Sequence, residues 1–244
     1  LHQLPIANKE RVIIVGAGIG GLAASLRLSH MGYNVKVFET AETAGGKLRT
    51  ITGQTGEIDI GPTVLTLLPV FQNLFRSVGE DIFDHIELVR QKIIARHWWP
   101  NGETLDLHDD FESSRDAILN FSGPESAKEF EKYFYDTRDL FACFDIPVMQ
   151  NPNPSMLDMN RAVLNNPKIL FKMHPLRTLS GLLNYKFRDK RLQQLFGRYA
   201  TYVGGSPLES PALLSLIWQA EARGVWSVKG GMKKLARVLE KLSL

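Results

Sequence analysis

The stretch Arg11-Val-Ile-Ile-Val-Gly-Ala-Gly-Ile-Gly-Gly21, carried on through a helix to Glu39, decides the fold. Arg11 to Val15 is a short, β-branched, continuously apolar run that stops at Gly16, as a buried parallel strand does. Leu22, Ala24, Leu26 and Leu28 then give an apolar helix side, and Gly32 follows as a C-terminal stop. Asn34-Val-Lys-Val-Phe38 alternates as a second strand and ends at Glu39. Strand, helix and strand within about 30 residues make a βαβ unit. Its turn carries GxGxxG at Gly16, Gly18 and Gly21, with Ala17 and Gly20 between them. Gly16 permits the tight turn, Gly18 lets a pyrophosphate approach the helix N-terminus, and Gly21 lets that helix pack on the strand. Glu39, about 20 residues on, sits where a carboxylate accepts hydrogen bonds from ribose hydroxyls. The same acid disfavours a 2′-phosphate.

This unit alone leaves FAD and NAD open, and the next segment discriminates between them. Ala44-Gly-Gly-Lys-Leu-Arg-Thr50 supplies a second glycine pair, Gly45 and Gly46, with Lys47 and Arg49 as positive charges for phosphate. Gly61-Pro62-Thr63 is a rigid turn with a hydroxyl, suited to lie against a flat ring. Asp59, two residues before that turn, reads as a holder of backbone N–H groups rather than a base.

Further along, Ile86 to Leu107 reads as β-hairpins, with Asn101-Gly102 turning between Ile94–Trp99 and Glu103–Leu107. His97, Trp98 and Trp99 alternate along a strand and read as packing and surface residues. Residues 111–150 are helical and acidic, and 161–191 turn basic, with Asn151-Pro-Asn-Pro154 as the break between them. The stretch from Lys168 to Arg191 interleaves leucines and aromatics with its cations. It is expected either to dock on anionic lipid or to pack its leucines inward.

Composition bounds the rest. The 244 residues are 44% hydrophobic with a net charge of +3, ordinary for a folded protein. Cys143 is the only cysteine, which excludes an internal disulfide and a CxxC site and fits a reducing, cytoplasmic setting. No window reaches the length of a membrane span, no metal-ligand spacing occurs, and the acidic segment argues against a nucleic-acid partner.

Taken together, GxGxxG, Glu39, Gly45-Gly46-Lys47, Arg49-Thr50 and Asp59-x-Gly-Pro-Thr63 resemble the flavin-containing amine oxidase and phytoene desaturase superfamily. Three later stretches are similar to bacterial hydroxycarotenoid 3,4-desaturases, also called methoxyneurosporene dehydrogenases. These are Phe196-Gly-Arg-Tyr-Ala-Thr-Tyr-Val-Gly-Gly-Ser-Pro207, Pro211-Ala-Leu-Leu-Ser215 and Gly224-Val-Trp-Ser-Val-Lys-Gly-Gly-Met232. The resemblance implies an α/β fold: a Rossmann-like FAD-binding βαβ domain with an inserted α+β substrate domain. It implies bound FAD and an acyclic carotenoid substrate that loses two hydrogens across a C–C bond, with no catalytic residue assignable from the motifs. The expected division is 1–75 for the FAD-binding part, 76–223 for a substrate domain facing the membrane, and 224–244 for a return segment. Peripheral contact with the inner face of a membrane is expected through 168–191. Family members continue well beyond the helix near Met232, so a fragment, a truncated product or one piece of a split protein is expected. An amine-oxidase-type enzyme and a non-catalytic remnant are the alternatives.

Overall fold

The computed structural model describes residues 10–244, so residues 1–9 of the expected first domain lie outside the described residues. The chain opens with β1 (Arg11–Val15), α1 (Ile19–His30) and β2 (Asn34–Phe38), then β3 (Thr50–Gly53), β4 (Gly56–Asp59), α2 (Leu68–Arg76), α3 (Ile82–His85) and β5 (Leu88–Arg90). It continues with β6 (Ile93–Trp98), β7 (Thr104–His108), α4 (Phe111–Ser122), α5 (Pro124–Phe144), α6 (Met156–Asn165), α7 (Ile169–Met173), α8 (Leu179–Lys186) and α9 (Lys190–Gly197). The last elements are α10 (Trp218–Ala222), β8 (Trp226–Val228) and α11 (Lys233–Ser243). Two compact units result, one from residues 10–91 with 225–244 and one from 92–224. The first division therefore falls at 91/92, against the 75/76 expected from sequence, because α2 and α3 bury Leu74, Phe75 and Ile82 in the first unit's own core.

In the first unit, β1 and β2 pair in parallel from Arg11 opposite Asn34 to Val15 opposite Phe38. α1 ends as the sequence predicts: Gly32 adopts φ +89, and the Tyr33 N–H donates to the Leu28 carbonyl. Two details differ from the reading. The buried side of α1 is Leu22, Ser25 and Leu26, with Ala24 facing out, because a helical face repeats every three or four residues rather than every two. β1 is not fully buried either, since Ile13 and Val15 are 59% and 86% exposed. Among the described residues its sheet has only β2 beside it, which leaves a bare edge and an uncovered apolar side.

Leu22 and Leu26 of α1 share one core with Leu235, Ala236 and Leu239 of α11. β3 and β4 form an antiparallel hairpin that the sequence reading leaves unassigned. β5 corrects the hairpin reading. It pairs not with β6 but with β8, with Leu88 opposite Val228, so two segments nearly 140 residues apart in sequence close the first unit.

The second unit opens with the expected hairpin. β6 and β7 pair antiparallel around Asn101-Gly102, where Gly102 takes φ +85 and the Asn101 side chain accepts from the Glu103 N–H. The hairpin packs on α4 and shares a core with the long helix α5, whose inward face is Phe130, Tyr133, Thr137, Leu140, Phe141 and Phe144 at helical spacing. Around Phe130 and Tyr133 gather Phe187, Phe196, Tyr199 and Trp218, an aromatic core. The Trp218 indole N–H donates to Thr137 Oγ1 at 2.8 Å, which satisfies the one polar atom this ring carries inside.

The acidic and basic halves of the sequence meet here. Lys186 reaches Asp136 at 2.6 Å, Lys172 reaches Asp139 at 2.6 Å, and Arg188 lies beside Glu129. Arg191 grips Asp189 and also Glu103 of the hairpin. Leu179, Leu182, Leu183 and Phe187 are buried. Residues 179–191 thus bury their leucines and pair Lys186, Arg188 and Arg191 with acids of the same unit, as the inward-packing reading of this half of 168–191 expects. No helix among the described residues is long and apolar enough to cross a membrane.

Asp189 gives this network a pH signature. The Arg191 guanidinium, with help from Ser122 and the Arg191 N–H, holds its carboxyl down at about 2. A carboxylate with a depressed folded-state pKa contributes stability above its unfolded value of about 4, and that contribution disappears as pH falls toward 2. At neutral pH the contribution is about 2 kcal/mol. Urea unfolding followed by tryptophan emission is expected to show this loss between about pH 4 and pH 2, and Asp189→Asn is expected to flatten it. Equal acid slopes for the two proteins would contradict the assignment.

Candidate nucleotide site

The glycine turn is built by close backbone approach. Gly16 takes φ +96 and donates its N–H to the Phe38 carbonyl at 2.7 Å, tying the end of β1 to the end of β2. A Cβ on Gly21 would stand 2.0 Å from the Gly16 carbonyl oxygen, a separation no side chain can occupy. Gly21 is therefore required for α1 to start where it does. Gly18 is different: it caps α1 with ordinary extended backbone, and a Cβ there would meet nothing within 4 Å. Gly20 likewise faces open space. The α1 N-terminus thus presents an unobstructed surface at the helix's positive end.

The second glycine pair joins the first. Gly45 donates its N–H to the Ala17 carbonyl at 2.8 Å and forms a parallel bridge with Gly18. Gly46, at φ +59, lies so close that a Cβ would stand 3.0 Å from the Gly18 Cα. Sequence predicts two separate glycine devices, and the structure makes them one loop pair. Lys47 and Arg49 are exposed and make no salt bridge among the described residues, so both charges remain available.

Glu39 departs from the simple ribose-acceptor expectation. Its Oε2 accepts from the Ala17 N–H at 2.7 Å, while Oε1 accepts from the N–H of Thr40 and of Ala41. These backbone donors, Ala41 first and then Ala17, hold its carboxyl below the usual range. The acid braces the glycine turn from below. Oε2, with a single donor, retains capacity for one hydroxyl. A cavity of about 290 Å³ opens beside it, lined by Ala17, Leu22, Ser25, Val37 and Ala44 among others.

Gly61, Pro62 and Thr63 are exposed but fixed at both ends. The Ile60 N–H donates to the Arg49 carbonyl, and Leu65 exchanges two backbone hydrogen bonds with Trp226. A Cβ on Gly61 would stand 1.9 Å from the Lys47 carbonyl oxygen, so this turn and the 45–49 loop are in backbone contact. Asp59 acts as the sequence predicts. Its Oδ2 accepts from the Met232 N–H at 2.9 Å, at the start of α11, and it sits against Gly231, where a Cβ would come within 3.1 Å.

Elsewhere, His97, Trp98 and Trp99 carry no constellation. Trp99 packs in a tilted arrangement against Phe121 and donates to Gln194, Trp98 is 68% exposed, and burial pushes the His97 imidazole below its ordinary value. One cluster escapes sequence reasoning. Buried Glu221 accepts from Arg198, Tyr199 and Tyr202 together. Arg198-Tyr-Ala-Thr-Tyr202 is the only local signal, and nothing in it points to an acid about 20 residues on. No group of three or more potential metal ligands occurs among the described residues.

Comparison with known proteins agrees with this geometry. A family described as NAD(P)-binding Rossmann-like domain matches residues 14–80, the segment that carries both glycine pairs, Glu39 and the Gly-Pro-Thr turn. Hydroxyneurosporene desaturase of Cereibacter sphaeroides is 44% identical over 96% of this chain and 47% of its own length. Its counterpart in Rhodobacter capsulatus is 40% identical over 97% of this chain and 48% of its own. Among solved structures, a putrescine oxidase variant superposes with a TM-score of 0.61 at 18% identity, covering 95% of this chain and 48% of that one, which is a likeness of fold. By sequence, the chain is similar to these hydroxyneurosporene desaturases and spans about half their length.

Proposed function

We propose that this chain is the nucleotide-holding portion of an FAD-dependent carotenoid desaturase, acting on an acyclic carotenoid with a 1-hydroxy or 1-methoxy end. The observation that carries the cofactor is the joined glycine loops. A helix N-terminus with open space at Gly18 lies against a second loop bearing free Lys47 and Arg49, an arrangement fitted to a pyrophosphate. A dehydrogenase that binds only a nicotinamide nucleotide has no use for that second loop. The substrate class rests on the named relatives.

FAD, when bound, supplies the hydride acceptor for removal of two hydrogens across a C–C bond. The residues described here bind and orient. The first-turn N–H groups of α1 take the pyrophosphate oxygens, Glu39 Oε2 takes a ribose hydroxyl, and the Gly61–Thr63 turn, fixed at both ends, offers a rigid edge to a flat ring system. A hydrocarbon substrate has almost no polar handle, so alignment in an apolar, water-free space carries most of the task.

The glycines make a sharp test. Gly18→Ala leaves the fold intact, because its Cβ meets nothing, yet places a methyl where pyrophosphate must approach. Flavin affinity is expected to drop at least about tenfold, roughly 1.4 kcal/mol, with an unchanged circular dichroism spectrum. Gly21→Ala is expected to destabilise the fold itself. Undiminished FAD binding by Gly18→Ala would remove the site assignment. A second experiment addresses the reaction. With the half of the relatives' length that this chain does not span supplied as a second polypeptide, a hydroxylated acyclic carotenoid is expected to show the red shift of a longer polyene. The 244 residues alone are expected to give none, since the bare edge of β1 and exposed Val15 leave the first unit uncovered. A red shift from the 244 residues alone would contradict this reading.

A further inference from the structure

Glu221 is buried in the second unit, and three donors converge on it. Arg198 Nη2 and the Tyr199 hydroxyl reach its Oε2 at 2.5 and 2.7 Å, and the Tyr202 hydroxyl takes its Oε1. The cluster is not closed by these bonds. A guanidinium carries five N–H groups, and Arg198 Nε–H is buried with no hydrogen-bond partner. His97 Nδ1 is in the same position. With its strand neighbours His97 forms no constellation, but it lies close enough to Arg198 and Glu221 for both charges to act on it. Four buried side-chain N or O atoms among the described residues lack a partner, and two of them stand around this one carboxylate. An unsatisfied buried nitrogen costs folding free energy, so two beside one acid point to a ligand group that takes both.

The chemistry of the two nitrogens defines that group. Arg198 Nε–H can only donate. Burial first, and then the Arg198 charge, hold the His97 imidazole below its ordinary value, so the ring is neutral at about pH 7. Its Nδ1 then accepts in one tautomer and donates in the other. The group that answers both nitrogens accepts and donates at a single atom, which is a hydroxyl. It is a neutral group, because the Arg198 charge is already matched by Glu221. Arg198 also lines a cavity of about 450 Å³ whose walls combine Leu183, Gly197 and Pro207 with Asn184 and Thr201, space for a branched hydrocarbon end. We propose that His97 and Arg198, the latter held in place by Glu221, bind the terminal hydroxyl of an acyclic carotenoid and select it over a bare hydrocarbon end. The identity of the ligand rests on the reaction proposed above, whereas the hydroxyl requirement rests on the two nitrogens.

The two-polypeptide enzyme described above tests the selection. The readout is the ratio of kcat/KM for a hydroxylated acyclic carotenoid to that for the hydrocarbon of the same skeleton. The wild-type ratio is expected to favour the alcohol at least about tenfold, the effect of one good hydrogen bond. His97→Phe is expected to bring the ratio near one by lowering kcat/KM for the alcohol alone, whereas a purely structural role would lower both substrates alike. His97→Asn, whose amide lies about where Nδ1 does, is expected to restore most of the selection. Should His97→Phe fold poorly, Arg198→Gln with Glu221→Gln removes the buried pair together and is expected to abolish the selection equally. Binding is read separately on the 244-residue chain by nitrogen NMR. Tetrahydromyrcenol, a branched ten-carbon tertiary alcohol, is expected to shift the His97 ring resonances, and the alkane of the same skeleton is expected to leave them unmoved. A wild-type ratio near one, an undiminished ratio in His97→Phe, as an enclosed water would give, or no shift with the alcohol would each overturn the proposal. A shift with the alcohol but no turnover of either carotenoid would tell against the reaction and support the hydroxyl site.

Discussion

Three backbone segments of the first unit approach one another more closely than any side chain permits, and the candidate site depends on that contact. The start of α1 presses on the end of β1 through Gly21 and Gly16, the 45–46 loop presses on Gly18, and the Gly61 turn presses on Lys47. In each case a Cβ would fall within 1.9 to 3.0 Å of a backbone atom. Glycine here is a steric requirement rather than a source of flexibility. The result is a helix N-terminus held rigidly against a second loop, with Glu39 bracing the turn and Gly18 left facing open space.

Long-range closure holds this arrangement in place. β5 pairs with β8, Leu65 with Trp226, and Asp59 caps the start of α11, so the chain returns after a 133-residue excursion to the strands it left. α11 then packs Leu235, Ala236 and Leu239 with α1, which fixes the helix that carries the glycine turn. The nucleotide site therefore depends on residues at both ends of the chain, although its motifs lie within the first 65 residues.

The second unit is organised by a different interaction. Its aromatic core around Phe130, Tyr133, Phe196 and Trp218 is apolar, and acids of α5 pair with Lys172, Lys186 and Arg188 around it. Arg177, by contrast, makes no salt bridge among the described residues and lies over the Tyr185 ring, while the leucines of α6 and the residues following it are exposed. A unit with a densely packed core thus carries one segment that its own core does not cover.

The sequence by itself determined the βαβ unit, the glycine turn and the Asn101-Gly102 hairpin. All of these rest on local rules: strand and helix periodicity, positive φ, and hydrogen bonds between near neighbours. It could also propose the residues of a candidate site from Gly16 to Thr63, because they come in ordered motifs. Only the tertiary structure decided that the two glycine pairs form one junction, that β5 belongs with β8, that Asp59 meets the distant Met232 N–H, that Glu39 accepts from backbone N–H groups, and that Lys186, Arg188 and Arg191 face acids. The physical reason is the same in each case. These outcomes depend on which distant segment comes to lie alongside, and a periodicity or a charge run specifies what a residue needs without specifying which partner will satisfy it.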